Sequence, residues 1–113
     1  MSLDIALRHA RLNPVKGLPP MAAVIMDGNK IVSVGLNARK THPLAAKFGK
    51  HDKANCLHAE LSAIVNARCN IKGMTMYVAR AHRKTGEAML AKPCKGCARA
   101  ILAFNLGDVE WTN

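Results

Sequence analysis

Met21-Ala22-Ala23-Val24-Ile25-Met26-Asp27-Gly28-Asn29-Lys30-Ile31-Val32-Ser33-Val34-Gly35-Leu36 is the stretch on which the fold turns. Its first six residues are a continuous apolar run, as in a strand buried on both faces. Asp27-Gly28-Asn29 is a hairpin-type turn, and Lys30 to Leu36, carrying an isoleucine and two valines, reads as the partner strand. A strand buried on both sides needs helices above and below it. The rest of the chain has to supply them.

Upstream, Ser2 to Leu12 reads as a first helix, capped by Ser2, with Leu3, Ile5, Ala6, Leu7 and Ala10 apolar and Pro14 as the stop. Gly17 to Pro20 is a breaker-rich connection. Downstream, Ala38 to Asn55 is polar, basic and without sustained periodicity, although Pro43 to Phe48 has room for a helical turn or two. A connection of that length in a small domain is usually functional or mobile. Leu57, Leu61, Ile64, Val65 and Arg68 have helical spacing, which places a second helix from about Leu57 to Cys69. Met74 to Arg80 is a third strand, with Met74, Met76 and Val78 on one side and Thr75, Tyr77 and Ala79 on the other.

His82 to Pro93 reads as a basic loop. A third helix follows from about Cys94 to Phe104, with Ala98, Ile101 and Leu102 inward and Gly107 beyond its end. Val109 to Thr112 is a last short strand. The order is αββαβαβ, with the hairpin first and βαβ crossovers after it. The expected architecture is α/β: one domain over residues 1–113, a mixed sheet of about four strands and helices on both faces. There is no internal repeat and no linker.

The 113 residues suit one domain, and half of them are apolar, enough for a core without disulfide staples. Seventeen Lys and Arg against seven Asp and Glu give a formal charge of +10, which draws anions to the surface. A phosphate-bearing small molecule and a nucleic-acid strand are both consistent with it, and so is simple solubility. No apolar run approaches the roughly 18 residues of a membrane span, and no secretory signal opens the chain. Four cysteines in such a chain read as metal ligands or free thiols, which implies a cytoplasmic protein.

Two motifs carry chemistry: His58-Ala59-Glu60, opening the second helix, and Pro93-Cys94-Lys95-Gly96-Cys97, opening the third. His58, Cys94 and Cys97 make up a Cys₂His ligand set, which in zinc enzymes leaves a fourth tetrahedral position for water. Cys94 and Cys97 stand at i and i+3, on one face of a helical turn. Pro93 suits a helix start, and the unpaired N–H groups there favour thiolate. Water on such an ion has its pKa lowered toward about 7.

Glu60 is the acid–base group. Two residues apart on an ideal helix, His58 and Glu60 would diverge, so both reach one pocket only where the chain enters the helix. A lone Cys-x-x-Cys also serves redox dithiols and structural zinc. For a structural site Cys56 is the available fourth ligand, but Glu60 would then have no task. Cys56 and Cys69 otherwise read as small buried thiols.

His-x-Glu with Pro-Cys-x-x-Cys is the signature of zinc-dependent base deaminases, and the chain resembles the cytidine and deoxycytidylate deaminase superfamily from about Met21 to Thr112. His58-Ala59-Glu60-Leu61-Ser62-Ala63-Ile64 is similar to that family's zinc-binding helix, and αββαβαβ matches its core. The resemblance implies a three-layer cytidine-deaminase-like fold and one catalytic Zn²⁺ per chain on His58, Cys94 and Cys97. It also implies Glu60 as proton shuttle, Asn37 as a sugar contact, the Ala59 backbone as a base contact, and a homo-oligomer.

Arg39 and Lys40, with His42 and Lys47, are candidates to hold a substrate phosphate, or else a solvated loop. Arg80, Arg83 and Lys84 extend a basic rim or are merely exposed. The expected reaction is hydrolytic deamination of a cytosine nucleotide or nucleoside such as dCMP or cytidine. The alternatives are deamination of a base within RNA or single-stranded DNA, another heterocycle as substrate, and a non-catalytic zinc-stabilised nucleic-acid-binding module.

Overall fold

In a computed structural model, which describes residues 2–13, 20–37, 58–93 and 95–113, β1 (Met21–Asp27) and β2 (Lys30–Leu36) form the expected antiparallel hairpin. Gly28 takes φ 61 at the first of its two loop positions, as a type II′ turn requires. A register shift between Ile25 and Met26 leaves a bulge near the turn. β1 then pairs on its other side with β3 (Thr75–Ala81), again antiparallel. Along the far edge of β3 lie β5 (Asp108–Trp111), parallel to it, and β4 (Ala88–Met89), antiparallel at its end. The sheet is therefore mixed, with β1 at its centre.

The alternation along β1 assigns its two buried faces. Ala22, Val24 and Met26 pack with Ala6 and Ala10 of α1 (Ser2–Arg11) on one side. Ala23 and Ile25 pack on the other with α2 (Ala59–Ala67) and α3 (Lys95–Ala103). Helices cover both faces, as a doubly buried strand demands.

Several expectations are corrected. Ser2 is the first residue of α1 rather than its cap. The 82–93 stretch contains β4, because Arg80 and Ala81 pair with Met89 and Ala88. Thr112 joins the edge strands: its hydroxyl donates to Met89 O and accepts from Arg80 N.

On α3 the buried stripe is Cys97, Ala100 and Ile101, while Ala98 is exposed and Leu102 is 75% exposed. The helix is rotated so that Cys97 points inward, and residues one step away turn to solvent. Its end is closed by Asn105 at φ 58, with Leu106 N donating to Ile101 O and Asn105 N to Leu102 O, a Schellman arrangement. Gly107 serves a different need: a Cβ there would lie 2.7 Å from Gly73 O.

α2 ends at Arg68, which is left-handed (φ 52, ψ 30). This conformation costs a side-chain-bearing residue about 1 kcal/mol. Arg68→Gly is therefore expected to raise stability by about 0.5–1 kcal/mol in urea denaturation. Cys69, just past this turn, is exposed rather than buried. The sequence readings at Pro14, Gly17, residues 38–55, Cys56 and Leu57 lie outside the described residues.

Candidate metal centre

α2 is held to β2 more closely than side chains allow. A Cβ built on Gly35 would collide with the backbone of Ala59 and Ala63, so the helix rests directly on the strand at a residue that has none. Ser33 Oγ donates to Ala63 O at 2.8 Å, and Asn66 Nδ2 donates to Val34 O at 2.9 Å. These contacts fix where the helix begins.

His58 is the N-cap of α2, with extended backbone (φ −72, ψ 153), and Ser62 N donates to its carbonyl at 3.0 Å. The chain thus enters the helix at the residue where the His-x-Glu spacing requires it to. Donor atoms of His58, Glu60 and Cys97 all lie within 4.8 Å of one another. His58 Nδ1 and Cys97 Sγ are 3.2 Å apart. Two donors sharing one tetrahedral zinc, at about 2.0 and 2.3 Å from it, would be separated by roughly 3.5 Å. Glu60 is 2% exposed and Cys97 1%, so the carboxylate and the sulfur face each other out of bulk water. Imidazole, thiol and carboxylate in this spacing are a donor set that zinc fits.

The sequence motif spans a long separation, and the fold closes it. The sequence matches the family model described as the cytidine and deoxycytidylate deaminase zinc-binding region over residues 2–112. The chain belongs to that family.

Solved structures agree in fold. The dCMP deaminase of cyanophage S-TIM5 in apo form is 20% identical, with a TM-score of 0.65 over 96% of this chain and 77% of that one. The same enzyme in complex with dCMP and dUMP gives 19% and 0.66, over 97% and 76%. RibD of Acinetobacter baumannii is 23% identical with a TM-score of 0.59, and the match spans 97% of this deaminase-family chain but 26% of RibD. No curated protein sequence matches at a significant level.

The other predicted residues fall as follows. Cys94, Arg39 and Lys40 lie outside the described residues. Ala59 is fully buried at the start of α2, its carbonyl oxygen against Gly35. Asn37 is buried at the end of β2, and its Oδ1 accepts from Asn13 Nδ2 at 2.6 Å and from Met21 N at 3.1 Å.

Asn13 also donates to Met21 O at 3.1 Å, so it ties the end of α1 to the start of β1 and to Asn37. Nothing in the sequence distinguished it from an ordinary residue after a helix. Gly35 did carry a signal, since a lone glycine inside a strand often marks close backbone approach.

Removing a donor tests the centre directly. Cys97→Ala is expected to purify with far less than the about one zinc per chain of the wild type, measured by elemental analysis. A chelator should lower the Tm of the wild type but not of the variant.

Proposed function

We propose that this chain is a zinc-dependent hydrolytic deaminase that converts a cytosine nucleotide or nucleoside, dCMP- or cytidine-like, to its uracil form with release of ammonia. The observation that carries the reading is the meeting of His58, Glu60 and Cys97 within 4.8 Å at the start of α2 and on α3. Membership of a deaminase family supports it. So does the likeness to a dCMP deaminase crystallised with dCMP and dUMP.

His58, Cys94 and Cys97 would hold the ion, and zinc there would supply a water acidified to near neutrality. Glu60 takes a proton from the attacking water and delivers it to the ring nitrogen beside the reacting carbon. It later transfers a proton to the departing amino group, so that water is consumed and ammonia leaves. Burial of Glu60 keeps these transfers from exchanging with solvent. Asn37 contacts the sugar, the Ala59 backbone the base, and Arg39 and Lys40 the phosphate.

The test is a panel of free nucleotides, nucleosides and bases with ammonia detection. Turnover of dCMP or cytidine is the expected result.

The formal charge of +10 favours a second reading, in which the base lies within RNA or single-stranded DNA. Salt-sensitive binding of an oligonucleotide followed by deamination within it would establish that reading instead. One zinc per chain with no ammonia from any substrate would leave a binding module. A homo-oligomer in the cytoplasm completes the proposal. β2 is an edge of the sheet, with Ile31 exposed on it. No described helix is long and apolar enough to cross a membrane.

A further inference from the structure

Arg80, read from sequence as the last residue of a strand and as part of a basic rim or merely exposed, lies within β3, half-buried, paired with Met21 of β1 on one side and Met89 of β4 on the other. Residues directly opposite one another share a face of the sheet. Met21 packs against the cluster that contains Ala59, Leu61 and Cys97, and Val78, two residues before Arg80, belongs to the same cluster. The Arg80 side chain therefore rises on the α2/α3 side of the sheet, where the candidate metal centre lies.

The register of the hairpin, continued one step beyond Ala22 and Leu36, sets Met21 opposite Asn37, and Met21 N donates to Asn37 Oδ1. Arg80, Met21 and Asn37 form a row across three adjacent strands at one end of the sheet. At about 4.8 Å per strand, the backbones of Arg80 and Asn37 are roughly 10 Å apart. An arginine side chain can cover more than half of that distance.

Arg80 Nε is buried and has no hydrogen-bond partner among the described residues. A buried guanidinium donor left unmet is costly, and arginine cannot escape the cost by losing its proton. The planar fork suits two oxygens of a phosphate.

We propose that Arg80 binds the phosphate of a nucleoside monophosphate substrate whose sugar lies at Asn37. The proposal rests on the deaminase reading above and adds Arg80 to Arg39 and Lys40 as a residue that selects phosphorylated over unphosphorylated substrate.

The experiment compares wild type with Arg80→Gln and Arg80→Lys. Deamination of dCMP, deoxycytidine and a short cytosine oligonucleotide is measured, together with the Tm in increasing inorganic phosphate. Arg80→Gln is expected to lose about 10- to 100-fold in kcat/KM for dCMP, mainly through KM, and little for deoxycytidine. Arg80→Lys keeps the charge without the fork and should fall between. Phosphate should raise the Tm of the wild type and not that of Arg80→Gln.

Equal losses on dCMP and deoxycytidine, or no loss on dCMP, overturn the proposal. So does a loss confined to the oligonucleotide. If the wild type deaminates none of the three, the cytosine reading fails and the phosphate titration alone decides Arg80. A Tm shift present in the wild type and absent from Arg80→Gln supports it, and the same shift in both, or in neither, overturns it.

Discussion

Glu60→Gln is expected to fold, keep its zinc and release ammonia about 10²- to 10⁴-fold more slowly than wild type, the usual worth of a positioned general acid–base. The substitution preserves shape and removes the group that can carry a proton. Glu60 is 2% exposed and its carboxylate lies within 4.8 Å of the His58 and Cys97 donors, so bulk water has little access with which to replace it. His58 and Cys97 are untouched, and metal content should therefore stay at the wild-type value. Single-turnover ammonia release with parallel zinc analysis and a thermal melt separates loss of chemistry from loss of metal or fold. Full activity in a zinc-replete Glu60→Gln protein would take Glu60 out of the mechanism.

Gly35→Ala should act on the same centre without touching a donor. The added methyl group would overlap the backbone of Ala59 and Ala63 and come within 2.7 Å of Ala63 Cα. Backbone atoms cannot rotate aside as a side chain does, so α2 has to move off β2. That strains the bonds from Ser33 to Ala63 and from Asn66 to Val34. The expected cost is about 3 kcal/mol, the upper end for overpacking, read as a lower urea midpoint.

α2 also carries His58 and Glu60, whereas Cys97 belongs to α3. A shift near 1 Å misaligns them and should cost about 10²-fold in turnover even where the variant is folded. A melt and a rate equal to wild type would mean that the helix has slack that the close contact does not suggest.

Much of this molecule is legible in its residue order. The apolar run at β1 announces a strand buried on both faces, and helices lie on both faces. The alternation of Met76 and Val78 against Tyr77 and Ala79 assigns β3 to its two layers as expected. Helix periodicity located α2 and α3 but not the rotation of α3: Ala98 and Leu102 were expected inward, and Cys97 and Ala100 are there instead. On a short helix with apolar residues on several sides, period alone leaves the buried stripe open, and the neighbours decide. β4 was unreadable because two residues carry no period, and pairing with Arg80 and Ala81 creates it.

The sequence by itself determined the candidate donors: an imidazole, a carboxylate and two thiols at spacings that only a helix start makes useful, on a chain with alternating helices and strands. Tertiary structure alone decided that residue 58 enters its helix in extended form, that a strand glycine seats this helix, and that Asn13 locks Asn37. It also set Arg80, read from sequence as a strand end on a basic rim or merely exposed, half-buried on the candidate-centre side of the sheet. The physical reason is that local spacing dictates which groups can share a turn. Which groups meet across the sheet depends on register and helix rotation, and these are set by packing between segments far apart in the chain.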